Sequence, residues 1–162
     1  MHVSTRNWSS FLLAALLLMP LGAKADRLDE IGERGTLRCG VNGEVPGFSY
    51  REEDGDWSGI DVDLCRAVAA AALGSADKVE LLPLTTVERL GALREGKVDL
   101  LARNTTWTQA RDLSQGVSFA AILYYDGQGF MVPRSTSTRS TLALGGASIC
   151  AIADTTSIES AR

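Results

Sequence analysis

The sequence predicts an α/β fold built on a parallel sheet, and two features of the 162-residue chain predict it. Between Thr36 and Ala102, short apolar segments alternate with segments whose apolar residues recur at helical spacing. Gly, Pro and Asp residues punctuate the joins, giving the order strand–helix–strand–helix–strand that parallel sheets require.

The first 25 residues stand outside that fold. Met1 to Ser10 holds one cation, Arg6, and no acid; an apolar run from Phe11 to Leu18 follows, broken by Pro20 and Gly22. Ala23-Lys24-Ala25 supplies the small-x-small pattern of a signal-peptidase site, so cleavage is expected between Ala25 and Asp26. The alternative, an uncleaved anchor, conflicts with the shortness of the run, since a span takes roughly 20 apolar residues. Export across a membrane follows.

Thr36–Val41 (TLRCGV) reads as a buried strand that leads into a loop, Asn42–Gly59. Val62, Cys65, Ala69 and Ala72 mark one face of a helix from Asp61 to Leu73, with Gly74 as its stop. Lys78–Leu84 is the next strand. Thr85 and Glu88 have capping-box spacing, hydroxyl first and carboxylate three residues later, and open a helix that turns Leu90 and Leu93 inward and stops at Gly96. Val98–Ala102 is a short apolar strand. Beyond it lie two extended pieces, Val117–Tyr125 and Gly129–Val132, then a polar patch from Arg134 to Ser140 and a short helical segment at Thr141–Leu144. A strand at Ala147–Ile152 and a second capping box, Thr156 to Glu159, complete the reading.

Composition excludes several functions. Loss of Arg6 and Lys24 moves the formal charge from −4 to −6, and an acidic domain offers no footprint for nucleic acid. His2, the single histidine, leaves with the signal, which excludes a histidine-dependent triad or metal site from the mature chain. Cys39, Cys65 and Cys150 fit no zinc spacing, and an oxidising compartment permits one disulfide among them.

The segment Arg103-Asn104-Thr105-Thr106-Trp107-Thr108, continuing to Arg111, carries most of the chemistry. It follows a parallel strand and opens a helix, the place where open α/β sheets bind small ligands. Arg111 can grip both oxygens of a carboxylate, and Thr106 can donate to it. The competing reading is that Thr108 merely caps the helix and Arg111 is a solvated charge. Asn42 ends the first strand, and Phe48 and Trp57 are candidate apolar walls, Trp57 more simply an ordinary loop aromatic. Thr155 and Thr156 can cradle a carboxylate, cap a helix, or do both.

Gly59-Ile60-Asp61-Val62-Asp63-Leu64 with Val68-Ala69 resembles the signature of the family 3 bacterial extracellular solute-binding proteins. RCGVN at Arg38–Asn42, PGFS at Pro46–Ser49, RNTTWT at Arg103–Thr108 and YYDGQGFMV at Tyr124–Val132 are similar to its general L-amino-acid-binding subfamily. The resemblance implies a type II periplasmic-binding-protein fold, with the first lobe nearly complete and the second only begun. By its pattern residues 26–124 form lobe 1, residues 125–132 the hinge crossing and residues 133–162 the start of lobe 2. It also implies that Arg103, Asn104 and Thr106 line the first-lobe side of the cleft, beside the candidate wall Phe48, that Asn42 stands where relatives often have an acid facing the ligand side chain, that Arg111 takes the ligand carboxylate, and that Thr156 holds it from the second lobe. The partners implied are a free L-amino acid and an inner-membrane ABC permease complex, with the binding protein monomeric and without a cofactor.

Two departures stand out. Asp154 occupies a position where the family has glycine, and the acid that pairs with the ligand's ammonium has no counterpart here. The chain therefore reads as a truncated form, and one that binds amino acids weakly. Cys39 on the first strand and Cys65 on the helix packed over it are the expected disulfide pair, with two buried free thiols as the alternative; Cys150 is the odd thiol. Two other functions compete with binding for transport: a dehydratase-like periplasmic enzyme on the same fold, and a remnant that binds nothing. RNTTWT supplies no general acid or base, which weighs against the enzyme.

Overall fold

The computed structural model describes residues 26–161, so the expected signal segment and its cleavage site lie outside the described residues. The central sheet has three parallel strands, with β1 (Leu37–Val41) between β5 (Val79–Pro83) and β6 (Leu100–Leu101). Leu37 to Val41 pair in register with Val79 to Pro83, and Cys39 and Gly40 pair with Leu100 and Leu101. β1 has no apolar–polar alternation because Leu37, Cys39, Gly40 and Val41 are all buried, as a central strand covered on both faces demands.

Helix α2 (Ile60–Leu73) lies over that strand and buries Val62, Cys65 and Ala69 completely. The spacing of those three residues defines one stripe along the helix. Gly74 closes it in the left-handed conformation, φ 76°, its N–H bonding Ala70 O at 2.9 Å. Cys39 and Cys65 are joined as expected, with an S–S length of 2.04 Å, and Cys150 is free and exposed. A shorter helix, α1 (Arg27–Arg34), was not anticipated by the apolar pattern; only Ile31 enters the core, against Leu37 and Ala69. Its anchor is electrostatic. The fully buried Asp99 carboxylate accepts from Arg34 Nη2 and from Arg38 N, the latter at 2.8 Å, with Arg27 Nη1 at 3.9 Å.

The loop Asn42–Gly59 folds into a second, antiparallel sheet of three short strands: β2 (Glu44–Val45), β3 (Ser49–Arg51) and β4 (Trp57–Ser58). Two- and three-residue strands are too short to show a period, which is why the segment reads as a loop. The turn into α2 requires glycine: Gly59 sits at φ 114°, and a Cβ there would come within 2.2 Å of Phe48 O. This close approach lets Ile60 N and Asp61 N bond Gly47 O and Phe48 O at 3.0 and 2.9 Å.

The capping box forms as expected. Thr85 N donates to Glu88 Oε2 at 3.1 Å and Glu88 N to Thr85 Oγ1 at 3.3 Å, leading into α3 (Arg89–Arg94). After β6 comes α4 (Gln109–Ser114), then a 3₁₀ turn at Thr141–Leu144 and α5 (Thr156–Ser160). The extended pieces Val117–Tyr125 and Gly129–Val132 and the expected strand Ala147–Ile152 pair with nothing among the described residues. A strand exists through its ladder of hydrogen bonds, so β-favouring composition alone does not make one. Tyr125, Met131 and Ile152 in these segments are exposed. The second capping box also fails: Thr155 is the N-cap residue of α5, its hydroxyl donates back to Ile152 O at 2.6 Å, and neither threonine caps the helix through its side chain.

Candidate ligand-binding site

The C-terminal ends of the parallel strands bring the expected site residues together in three groups. Asn42, just past β1, donates from Nδ2 to Asn104 Oδ1 at 3.3 Å, joining the ends of two neighbouring strands. Ser49 Oγ orients this corner by accepting from Asn42 N at 2.9 Å and Gly43 N at 3.4 Å. Phe48, a candidate wall, meets Tyr124 edge to face with ring centroids 5.1 Å apart. Trp57 does not join it; the ring packs on the disulfide core beneath the Arg51 guanidinium.

The third group gathers Thr106, Arg111 and Thr156. Thr108 Oγ1 accepts from Arg111 N at 3.2 Å, so the expected capping role is present and the same bond fixes the placement of Arg111. Arg111 Nη1 donates to Thr106 O at 2.8 Å, and Nη2 donates to Asp154 O at 3.3 Å. Thr106 Oγ1 and Thr156 Oγ1 lie 3.3 Å apart. One guanidinium and two hydroxyls from segments remote in sequence thus converge, which is the donor set a carboxylate takes. Both segments carry non-glycine residues with positive φ, Asn104 at 23° and Asp154 at 58°. The left-handed backbone at 154 is a conformation that favours glycine; Asp is one of the few other residues that tolerates it.

Arg103 behaves differently from expectation. It is 6% exposed, and its Nε and Nη2 donate to Leu84 O at 2.6 Å and Thr86 Oγ1 at 3.3 Å, tying β6 to the segment that follows β5. Its principal contacts are therefore internal. Burial holds its pKa below the usual guanidinium value, and the Asp61 and Glu44 charges partly offset this. Asp61, 4% exposed at the start of α2, is pushed up to about 6 by burial, against the opposing Ser49 hydrogen bond and the Arg103 charge.

Arg89 is the residue that sequence reading missed. It is 3% exposed, its Nη1 donates to Asn104 O at 3.3 Å, and its Nε has no partner. Burial first, then the charges of Arg103 and Arg111, lower its pKa to about 10. A groove of about 640 Å³ runs between α3, α4 and α5, lined by Thr86, Arg89, Arg111, Thr155, Thr156 and Glu159 among others. Asn42, Phe48, Arg103, Asn104 and Thr106 border the neighbouring strand ends rather than the groove itself. The one available signal for Arg89 was its position at the head of the helix that follows a parallel strand.

Comparison with known proteins accords with this geometry. The pattern of the bacterial extracellular solute-binding proteins, family 3, matches residues 37–145, from the first strand past the 3₁₀ turn. The chain is 43% identical over 143 residues to the general L-amino acid-binding periplasmic protein AapJ of Rhizobium johnstonii, covering 88% of this chain and 42% of that protein. It is 46% identical over 149 residues to the glutamate/glutamine/aspartate/asparagine-binding protein BztA of Rhodobacter capsulatus, covering 92% of this chain and 44% of that one. An ABC transporter periplasmic binding protein from Brucella ovis, solved with glutathione bound, superposes with a TM-score of 0.76 at 51% identity, over 82% of this chain and 42% of the other. The chain thus spans less than half the length of each of these relatives. A parallel sheet with candidate groups at its strand ends, a matched family pattern over most of the chain, and relatives at 43% and 46% identity lead to one assignment: the chain belongs to the bacterial extracellular solute-binding proteins, family 3.

Proposed function

We propose that this chain takes part in periplasmic binding of free L-amino acids for delivery to an inner-membrane ABC permease, and that it supplies the carboxylate-binding half of the site. The observation that carries the reading is the convergence of Thr106, Arg111 and Thr156. A bidentate guanidinium flanked by two hydroxyls matches an α-carboxylate, with Asn104 and Asn42 beside it and the Phe48–Tyr124 pair as apolar wall. In this reading residues 26–124 form the first lobe, residues 125–132 the crossing, and residues 133–162 the beginning of the second lobe. The relatives' names favour amino-acid or small peptide ligands over other carboxylates.

A non-enzymatic role follows from the donor set. Guanidinium, amide and hydroxyl groups bind a carboxylate but are poor proton-transfer groups near neutral pH. Asp61, whose raised pKa would suit proton transfer, is buried against Ser49 and does not line the groove. The test is an ¹⁵N NMR titration of the exported chain with L-glutamine. Shifts at Thr106, Arg111 and Thr156 that saturate in the millimolar range, and vanish in Arg111→Ala, are expected. Spectra unmoved by any natural L-amino acid would overturn the reading.

A further inference from the structure

We propose that Asp61 is a positioning residue for the amino-acid site, acting through Ser49, and that its ionised carboxylate holds the site in the tighter-binding geometry. This proton-linked control rests on the amino-acid-binding reading and deepens it.

Asp61, near the start of α2, holds the loop after β1 in two ways. Its N–H donates to Phe48 O at 2.9 Å, which fixes the residue whose ring meets Tyr124. Its carboxylate takes the hydrogen bond of the Ser49 side chain. Ser49 is wholly buried, and its Oγ accepts from Asn42 N at 2.9 Å and Gly43 N at 3.4 Å. A hydroxyl has two lone pairs and one proton. The backbone takes both lone pairs, so the proton is left for Asp61. The direction in which Asn42 leaves β1, and with it the Asn42–Asn104 contact at 3.3 Å, therefore depends on an acceptor at residue 61.

A second arm runs through charge. Ionised Asp61 acts on Arg103, whose Nη1 has no partner and whose other nitrogens hold Leu84 O and Thr86 Oγ1. Protonation weakens both arms, because a neutral carboxyl is a poorer acceptor and no longer offsets the Arg103 charge. Charged groups on the other elements packed around α2 are engaged elsewhere. Arg38 of β1 pairs with Glu80 of β5 at 4.0 Å, Arg34 of α1 with Asp99, and Arg51 of β3 lies over Trp57 of β4. Glu44 of β2 acts on Arg103. Burial pushes the Asp61 carboxyl up to about 6, where free L-glutamine does not titrate. The single histidine, His2, lies in the expected signal segment.

The experiment is an ¹⁵N NMR titration of the exported chain with L-glutamine at constant ionic strength, repeated from pH 5 to pH 7. A ligand that lowers the Asp61 pKa by about one unit should bind roughly fivefold more tightly at pH 7 than at pH 5. In Asp61→Asn, which keeps an acceptor for Ser49 and cannot ionise, affinity should be flat with pH and near the pH 5 value of the unmodified chain. Asp61→Ala, which removes the acceptor, should bind more weakly than Asp61→Asn at every pH. A purely structural role would move the unfolding midpoint and leave the affinity of the folded chain independent of pH. Affinity in the unmodified chain that is flat, or that falls from pH 5 to pH 7, overturns the proposal even without a folded variant. An unchanged slope in folded Asp61→Asn also overturns it. Binding at no pH strikes the amino-acid-binding reading itself, whereas binding without the slope strikes only the role of Asp61.

Discussion

The hydroxyl of Thr106 lies 3.3 Å from that of Thr156, and Arg111 ties the two segments together by donating to Thr106 O and to Asp154 O. The donors proposed to bind a carboxylate therefore face one another, with backbone carbonyls holding the guanidinium in place. A ligand carboxylate entering here must exchange those carbonyl contacts for its own. The exchange favours the ligand because bonds to an ionised acceptor are about twice as strong as those to a neutral one.

Arg111 and Arg103 should respond to truncation in opposite ways. Arg111→Ala should abolish measurable amino-acid binding with little change in stability, since Arg111 is part of the open site. Arg103→Ala removes the bonds to Leu84 O and Thr86 Oγ1 from a buried position, so it should cost roughly 2–4 kcal/mol of stability. Urea denaturation and ligand titration of both variants separate the effects. Unchanged stability in Arg103→Ala would contradict its assignment as a tie between strand ends.

How much of this was legible in the sequence depended on the range of the interactions. The parallel sheet, α2 with its Gly74 stop and the Thr85–Glu88 box were readable because each rests on local periodicity or a four-residue motif. Thr106, Arg111 and Thr156 were readable as donors, though the 3.3 Å approach of the two threonine hydroxyls is a tertiary fact. Arg89 was not readable, because what sets it apart is its unpartnered burial between Asn104, Arg103 and Arg111. The same limit hid α1, which is held through Asp99, 65 residues from Arg34, more than through an apolar stripe. Strand expectations after Val117 failed for the converse reason: composition favoured strands that have no neighbour to pair with among the described residues.

The disulfide gives the second prediction. Cys39 and Cys65 close a loop of 26 residues between β1 and α2, at the centre of the core. In the chain-entropy account such a loop stabilises by about 3.5 kcal/mol. Reduction with dithiothreitol should lower the unfolding midpoint accordingly. Thiol titration of unfolded, unreduced protein should find one thiol, that of Cys150. A count of three would exclude the bridge.

Asp61 makes the last prediction, a dependence of stability on pH opposite to the usual one for carboxylates. Its carboxyl is 4% exposed, Oδ2 has no partner, and burial raises the pKa from 3.8 to about 6. A folded-state pKa above the unfolded one means that the folded chain binds more protons between about pH 4 and 6. Stability from this group is then greatest below pH 4 and falls as pH rises through 6. A gap of this size corresponds to at most about 3 kcal/mol, reached above pH 6. Asp61→Asn keeps the shape and the Ser49 contact while removing the ionisation, so it should match the unmodified chain near pH 4 and exceed it in stability near pH 7. The Arg103 charge opposes part of this gain, because ionised Asp61 is its nearest compensating acid. The double variant with Arg103→Gln should therefore show a larger benefit from Asp61→Asn than the single variant does. Urea denaturation of the four proteins across pH 4 to 7 measures both quantities. Parallel pH profiles for Asp61→Asn and the unmodified chain would show that burial does not govern this carboxyl.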